Sequence, residues 1–376
     1  MPFSKSANRC GVEILSEVRN HVAFVTLNRP AALNALSLSM IVELRDALHA
    51  FARDTDVRAV IIRGAGEKAF CAGGDIRALY DSFRTSGTAH TEFFATEYPL
   101  DYVLYSYPKP YIALLNGIVM GGGMGISQGS RLRIVGDRTR MAMPEVAIGF
   151  FPDVGASYFL SRLPGCIGLY LALTGAQVRA ADALYAELAD FYLPPDGIAQ
   201  LDAKFENLQW TAADSQAAHS DCAKLIRSLA ADPGTASLVA VRPAIDEHFA
   251  ATSVPELLQS LQREARREFK EWAQQTAALI STRSPTMLAV TLKQLQLGRS
   301  MTLAQCLRME IGMARQCFEQ GDFVEGIRAM IIDKDNKPIW RPGKLDQVTQ
   351  ASVDAIFANP WTGSVHPLAH LEQIHA

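Results

Sequence analysis

The sequence predicts an α/β protein whose first half alternates buried strands with helices and whose second half is helical. Three observations point there. "RAVIIRG" (58–64), "YIALLNGIVM" (111–120) and "RLRIVGD" (131–137) are short, apolar and rich in β-branched residues, as strands covered on both faces of a parallel sheet are. Glycine-punctuated turns and helical spacing follow them, the alternation expected of α/β chains. From about residue 198 the strand-like runs stop, and apolar positions recur at helical intervals.

Taken in order, residues 12–27 read as a hairpin: "VEILSEV", a polar "RN", then "HVAFVTL". From Ser39 a helix follows, with Ile41, Leu44, Leu48 and Phe51 on one face. The strand at 58–64 leads into a glycine-rich turn, a helix around 75–84 and a longer helix ending at "YPKP". The run 111–120 reads as one strand turning through "GGGMGIS" into a helix. In "SPTMLAVTLKQLQLG", Ser284 is placed to cap, Pro285 to start and Gly298 to stop a helix. The expected division is a core with the active site over 1–197, a helical region over 198–345, and a tail or docking segment over 346–376.

Composition narrows the function classes. The 376 residues are 49% apolar and 20% charged, an ordinary globular balance. A net charge of −3 gives no basic surface for nucleic acid. Arg263, Arg266 and Arg267 are interleaved with Glu264 and Glu268, which reads as a solvated helix face. No apolar run approaches the ~20 residues that span a bilayer, and "MPFSKSANRC" has no apolar signal region. Cys10, Cys71, Cys166, Cys222, Cys306 and Cys317 form no CxxC pair, which suggests reduced thiols and neither a disulfide framework nor a zinc site. The expected location is the cytoplasm.

"MPEVAIGFFPDVGASYFL" (143–160) places two carboxylates, Glu145 and Asp153, in a stretch otherwise built for burial. Two glycine-rich turns precede it, "FCAGGDI" (70–76) and "NGIVMGGGMGIS" (116–127), each a strand end opening into a helix. Glycine lets a ligand approach the backbone closely. One amide from each turn, with a helix N-terminus behind the second, would make an oxyanion hole. Cys71 beside the first turn reads as a small buried residue.

Two other motifs lead elsewhere. "GISQG" (125–129) matches the GxSxG of serine hydrolases, but the turn lies in the preceding "MGGGMG", so Ser127 falls inside a helix with no histidine in suitable sequence downstream. His366 and His370 in "HPLAHLEQIHA" have ligand spacing, but the glutamate of HExxH is missing and a proline interrupts, so His366, His370 and His375 read as tail residues. No Walker A or GxGxxG pattern is present.

"LNRPAALNALS" (27–37), "FCAGGDI", "NGIVMGGGMGIS" and "MPEVAIGFFPDVGASYFL" resemble, in order and spacing, the crotonase (enoyl-CoA hydratase/isomerase) superfamily, and within it the 3-hydroxyisobutyryl-CoA hydrolase branch. The resemblance continues through "LRMEIGMARQCF" and "DFVEGIRAMIIDKDNKPIW" and is weakest over 198–262 and the tail. It implies a crotonase-like spiral of ββα units with a helical C-terminal region. It implies oxyanion-hole amides at Ala72 and Gly122, with Gly73 and Gly121 beside them, and nucleotide contacts at Arg29 and Ala31. Glu145 matches an acid that the family keeps, and Glu97 an acid that the hydrolase branch places at the substrate. Two departures matter. Hydratases carry a glutamate where this chain has Gly125, and usually a small residue where it has Asp153.

Together these shift the expectation from hydration to thioester hydrolysis of an acyl-CoA, namely 3-hydroxyisobutyryl-CoA in valine breakdown, with 3-hydroxypropionyl-CoA fitting the same chemistry. Glu145 would attack the thioester to give a mixed anhydride, or act as general base on water, and Asp153 would orient groups or move a proton. The rivals are an enoyl-CoA hydratase or isomerase, and a non-catalytic acyl-CoA-binding protein. No metal or cofactor is implied beyond the CoA of the substrate. Crotonases often assemble as homo-oligomers, which the longer hydrolase branch need not do.

Overall fold

The structure, a computed structural model, describes residues 12–212 and 214–373; Cys10 and His375 lie outside them. Strands β1 (Ile14–Arg19) and β2 (Val22–Leu27) form the expected antiparallel hairpin. Its turn is Asn20-His21, one residue later than "RN". Both take left-handed φ angles, 44° and 66°, as a two-residue hairpin turn of the right twist requires. Helix α1 (Leu38–Arg53) begins just before Ser39, because Ser37 Oγ accepts the Met40 amide and caps it.

Then come β3 (Ala59–Gly64), β4 (Ala69–Cys71), α2 (Ile76–Arg84) and α3 (Ala89–Tyr105). The run 111–120 is two strands, not one: β5 (Tyr111–Leu115) and β6 (Ile118–Met120). Gly117 between them has φ of 114°, and a Cβ there would lie 2.7 Å from Lys68 O, so the chain bends where only glycine fits. Helix α4 (Gly122–Gln128), β7 (Leu132–Val135), β8 (Arg140–Ala142), the short α5 (Ala156–Phe159) and β9 (Phe191–Tyr192) complete the first half.

The strands sort into a six-stranded sheet, β1-β2-β3-β5-β7-β9, and a three-stranded sheet, β4-β6-β8. Apart from the first hairpin, every pairing is parallel. Each turn of the chain therefore lays one strand in the large sheet and the next in the small one, and β4 and β6 then lead directly into helices. That is the spiral of ββα units.

Both faces of the large sheet are covered, which explains why its strands are apolar throughout. Ala23, Val25, Leu27, Val60, Ile62, Ala113 and Val135 face the main core, a cluster that runs from Ile14 to Leu371. Val22, Phe24, Ala59, Ile61, Ile112, Leu132 and Ile134 face a second cluster, closed by Leu201, Phe205, Leu225 and Ile226. These four belong to the helices Pro195–Glu206 and Ser215–Leu229.

From Pro195 to Ile332 the chain is mostly helical, as expected, while the segment expected to be a tail also holds a helix, Gln350–Phe357. The helices Pro285–Gly298 and Leu303–Gln320 pack behind the 143–160 loop, and Gln350–Phe357 packs on both. Leu368 and Leu371 are buried, and Arg308 Nε donates to Leu368 O at 2.8 Å. Residues 263–266 are the connector between two helices, not a helix face, and Arg266 pairs there with Glu264 and Glu247. Among the described residues no helix is long and apolar enough to cross a membrane.

Phe205→Ala would empty a fully buried ring site on the outer face of the sheet. The expected loss is about 3–5 kcal/mol in urea denaturation. A change within about 0.5 kcal/mol would mean that this face is not sealed as described.

Candidate active site

One cavity of about 270 Å³ is lined by both glycine-rich turns and the acid loop: Ala72, Gly73, Gly74, Gly121, Gly122, Glu97, Glu145 and Asp153 all border it. Phe93, Phe94, Ile148, Phe150, Met330 and Ile331 supply its apolar wall. The sequence-predicted residues thus meet in one place, with two exceptions. Arg29 is held by Glu13 at 3.0 Å and Asp75 at 2.9 Å, outside this lining. Ala31 is exposed on the turn Pro30–Ala32.

The amide assigned to Ala72 is a correction. Its N–H donates to Leu33 O at 3.1 Å and is not free for a ligand. The neighbouring bridge uses the Leu36 amide to Gly73 O and the Asp75 amide to Leu36 O. Gly74, between those bonds, points its N–H the other way, and it donates to no acceptor among the described residues. Gly122 is the first residue of α4, so its amide has no helical acceptor either. The two glycines are neighbours, since a Cβ at Gly122 would lie 3.5 Å from Gly74 N. The unengaged pair is therefore Gly74 and Gly122.

The segment "LNRPAALNALS" acts here from behind. Asn34 Nδ2 donates to Ala65 O and Ala69 O, and its Oδ1 accepts the Arg29 amide. So fixed, the loop presents Leu33 O and Leu36 to the 72–75 turn and sets the direction of the Gly74 amide.

Gly121 has φ of 50°, and a Cβ there would sit 3.0 Å from Glu145 Oε1. The Glu145 carboxyl is thus beside the α4 N-terminus, and its Oε2 has no hydrogen-bond partner among the described residues. Asp153 Oδ2 accepts the Tyr98 hydroxyl at 2.8 Å. Burial pushes Asp153 from 3.8 up to about 7, with the Tyr98 hydrogen bond pulling the other way. Burial first, then the Asp153 charge, pushes Glu145 and Glu97 well above the usual carboxylate range. The Cys71 thiol is buried and raised to about 12, so it is inert, as expected.

The acid loop is held from the C-terminal helices. Glu310 accepts the amides of Gly155 and Ser157 at 2.7 and 2.9 Å. Gln294 donates to Pro152 O and to Ser157 Oγ. Val154 sits at φ of 54°, a strained conformation for a β-branched residue, directly after Asp153. Asp153 does not cap α5 with its side chain; Glu310 satisfies those amides instead. Ser127 is buried inside α4 and donates to Met124 O, as the helical placement requires. Among the described residues no group of three His, Cys, Asp or Glu side chains is placed to hold a metal ion.

The sequence reading missed Gly74, Tyr98, Asp101 and Glu310. A lone acid in an apolar helix, as in "LRMEIGMARQCF", is the signal for Glu310. Asp101 stands one helical turn after Glu97, fully buried, and that spacing was its signal.

Stacked ββα turns that bring glycine amides and carboxyl groups into one small cavity are the architecture of the crotonase fold. The chain belongs to the enoyl-CoA hydratase/isomerase family, whose model matches residues 22–357. It is 38% identical to the mitochondrial 3-hydroxyisobutyryl-CoA hydrolase of Danio rerio, covering 94% of this chain and 91% of that one. The human mitochondrial 3-hydroxyisobutyryl-CoA hydrolase is 37% identical, over 92% and 88%. Among solved structures, a carnitinyl-CoA dehydratase from Mycobacterium thermoresistibile superposes with a TM-score of 0.83 at 38% identity, over 92% and 96%. An enoyl-CoA hydratase from Rhodobacter sphaeroides gives 0.81 at 34%, over 93% and 98%.

The raised Asp153 has a signed consequence for stability. Its folded value, about 7, lies above the ordinary 3.8, so the folded state holds the proton more tightly. The stabilisation is full below pH 3.8 and is lost as pH rises through 7. Asp153→Asn, which cannot ionise, should be more stable than the parent at pH 8 by up to roughly 4 kcal/mol. The gap should close by about pH 4. Denaturation at both pH values checks this; a pH-independent gap would contradict the assignment.

Proposed function

We propose that the protein hydrolyses a small 3-hydroxyacyl-CoA thioester, most specifically 3-hydroxyisobutyryl-CoA, to the free acid and CoA. The observation that carries this reading is the packing at Gly125. A Cβ there would lie 2.6 Å from Val154 Cβ and 3.0 Å from Asp101 Oδ1, so the glutamate that hydratases place at this position has no room. The strained loop that fills the space is the one that delivers Asp153. Two solved relatives are titled hydratase or dehydratase, while the curated relatives are named 3-hydroxyisobutyryl-CoA hydrolase. The crowding at Gly125 favours the second group.

In this reading the Gly74 and Gly122 amides form the oxyanion hole and bind the thioester carbonyl oxygen as it gains charge. Glu145, beside the α4 N-terminus, attacks the carbonyl carbon and forms a mixed anhydride. The resting pair carries its proton on Glu145, whose carboxyl is raised by burial and by Asp153. Attack requires that proton on Asp153, and the positive end of the amide pair favours the exchange. Asp153 then protonates the departing sulfur, and water cleaves the anhydride with Asp153 as base. Glu97, with Oε1 unpartnered at the cavity, holds the substrate hydroxyl. The chemistry calls for no metal or redox cofactor, because the amides do the polarising. A non-catalytic acyl-CoA-binding role leaves two buried, mutually repelling acids without a purpose.

The expected cytoplasmic location stays part of this proposal. Free thiols at Cys71, Cys166, Cys222, Cys306 and Cys317 suit any reducing compartment, and the vertebrate relatives are named mitochondrial. Homo-oligomerisation stays an expectation drawn from the family.

Glu145→Gln and Asp153→Asn should each lower thiol release at least ~100-fold, the scale of a lost catalytic acid or base. Calorimetric affinity for the CoA ester should hardly change. Wild-type turnover in both variants would sink the pair. The parent's kcat/KM should rise with pH through about 7, as the pair loses its first proton; a flat profile from pH 5 to 9 would contradict the assignment.

A further inference from the structure

Helix α3 carries a polar line that the chemistry above does not use in full. Glu97, Asp101 and Tyr105 stand at successive turns, so their side chains share one side of the helix. Asp101 is fully buried, and neither of its oxygens has a hydrogen-bond partner among the described residues. The same holds for Glu97 Oε1 and for the buried hydroxyl oxygen of Tyr105. Leaving such groups unbonded in a core costs stability, so packing alone does not account for them.

The facing helix is shaped to admit them. A Cβ at Gly122 would lie 2.5 Å from Glu97 Oε1, and one at Gly125 would lie 3.0 and 3.1 Å from the two Asp101 oxygens. At Gly129, just past the helix, it would lie 2.7 Å from Leu104 C and 2.8 Å from the Tyr105 amide, so there it is the two backbones that come close. The line also has two distinct ends. Glu97 and Gly122 border the active-site cavity. Tyr105 and Gly129 border a surface pocket of about 470 Å³, shared with Lys109, Arg131 and His219.

We propose that Glu97, Asp101 and Tyr105 form a proton path along α3, from the active-site cavity to the surface pocket beside His219. It rests on the hydrolytic reading, which supplies the proton. When a thioester is hydrolysed, the acyl–sulfur bond breaks and an acyl–oxygen bond forms. The sulfur keeps the electron pair of the broken bond and takes one proton. The product acid ionises and leaves a second proton in a cavity already crowded with carboxyl groups. Glu97, raised by burial and so already protonated, takes this proton on one oxygen as it gives up its own from the other. Asp101 accepts it on one oxygen as it gives up its own from the other, and the buried Tyr105 hydroxyl relays a proton on through water toward the pocket that its residue borders. These groups do not bond one another directly, so each transfer between groups one helical turn apart runs through one bridging water.

The electrostatics agree. Burial, then the carboxyl groups of Glu97, Asp153 and Glu310, push Asp101 well above the usual range, so it is neutral and able to donate. Burial and Asp101 raise Tyr105, against the opposite pull of Arg133 and with smaller upward contributions from Glu310 and Tyr158.

The test compares the full chain with Asp101→Asn and Tyr105→Phe, both near-isosteric, in thiol release from 3-hydroxyisobutyryl-CoA. Both should lower kcat about tenfold or more while KM stays within about twofold, a loss within the range of proton-transfer effects. Both should enlarge the solvent deuterium isotope effect, and rising concentrations of a small buffer such as formate should restore kcat. Infrared spectra should show a protonated carboxyl band in the parent that Asp101→Asn lacks. Parent-like kcat and isotope effect in both variants would overturn the path. So would a slow Asp101→Asn without buffer rescue beside an unaffected Tyr105→Phe, since that pattern is structural. A parent that releases no thiol would instead sink the hydrolytic reading beneath it.

Discussion

Glu97, Asp101, Glu145, Asp153 and Glu310 are all buried, and four of them crowd Asp153 or its loop. Away from water each carboxylate is costly to charge, and each charge that does form raises its neighbours. The chain meets this constraint with a few fixed donors. Tyr98 supports Asp153, and two backbone amides satisfy Glu310. What remains is a set of acids that cannot all ionise together, so protons must be shared and moved. Asp153 near neutrality, beside a Glu145 held higher, is the part of that set most open to change at ordinary pH.

The rest of the architecture serves to hold those groups near two glycine amides. The parallel sheets deliver strand ends at the same edge, and glycine turns there leave Gly74 and Gly122 free to donate. Behind them, Asn34 and Leu33 fix the first turn; behind the acid loop, Glu310 and Gln294 fix the second wall. The helical half of the chain is therefore part of the site. Without the helix Leu303–Gln320, the loop on either side of the strained Val154 loses the Glu310 carboxylate that fixes the Gly155 and Ser157 amides.

Much of this was legible in the sequence because it rests on local chemistry. Apolar β-branched runs gave the parallel strands, and glycine clusters at strand ends gave the turns. Two acids in an apolar stretch marked the loop. What stayed hidden depends on long-range placement. Whether Ala72 or Gly74 offers its amide depends on the carbonyl of Leu33, some forty residues earlier in the chain. Arg29 looked like a ligand contact, but Glu13 and Asp75 occupy it. The run 111–120 concealed a bend, because Asn116-Gly117, a turn dipeptide, was flanked on both sides by apolar residues that read as one strand. Helices Pro195–Glu206 and Ser215–Leu229 cover the sheet with few apolar residues each, so their sequence advertises little.

The most direct test follows both reactions that this fold supports on the purified chain. Thiol release from 3-hydroxyisobutyryl-CoA and loss of the conjugated double bond of crotonyl-CoA would be measured side by side. Thiol release with no hydration is the predicted result, because Gly125 leaves no room for the second hydratase acid. Hydration of crotonyl-CoA with no thiol release would contradict the account and assign Asp153 the missing acid's role.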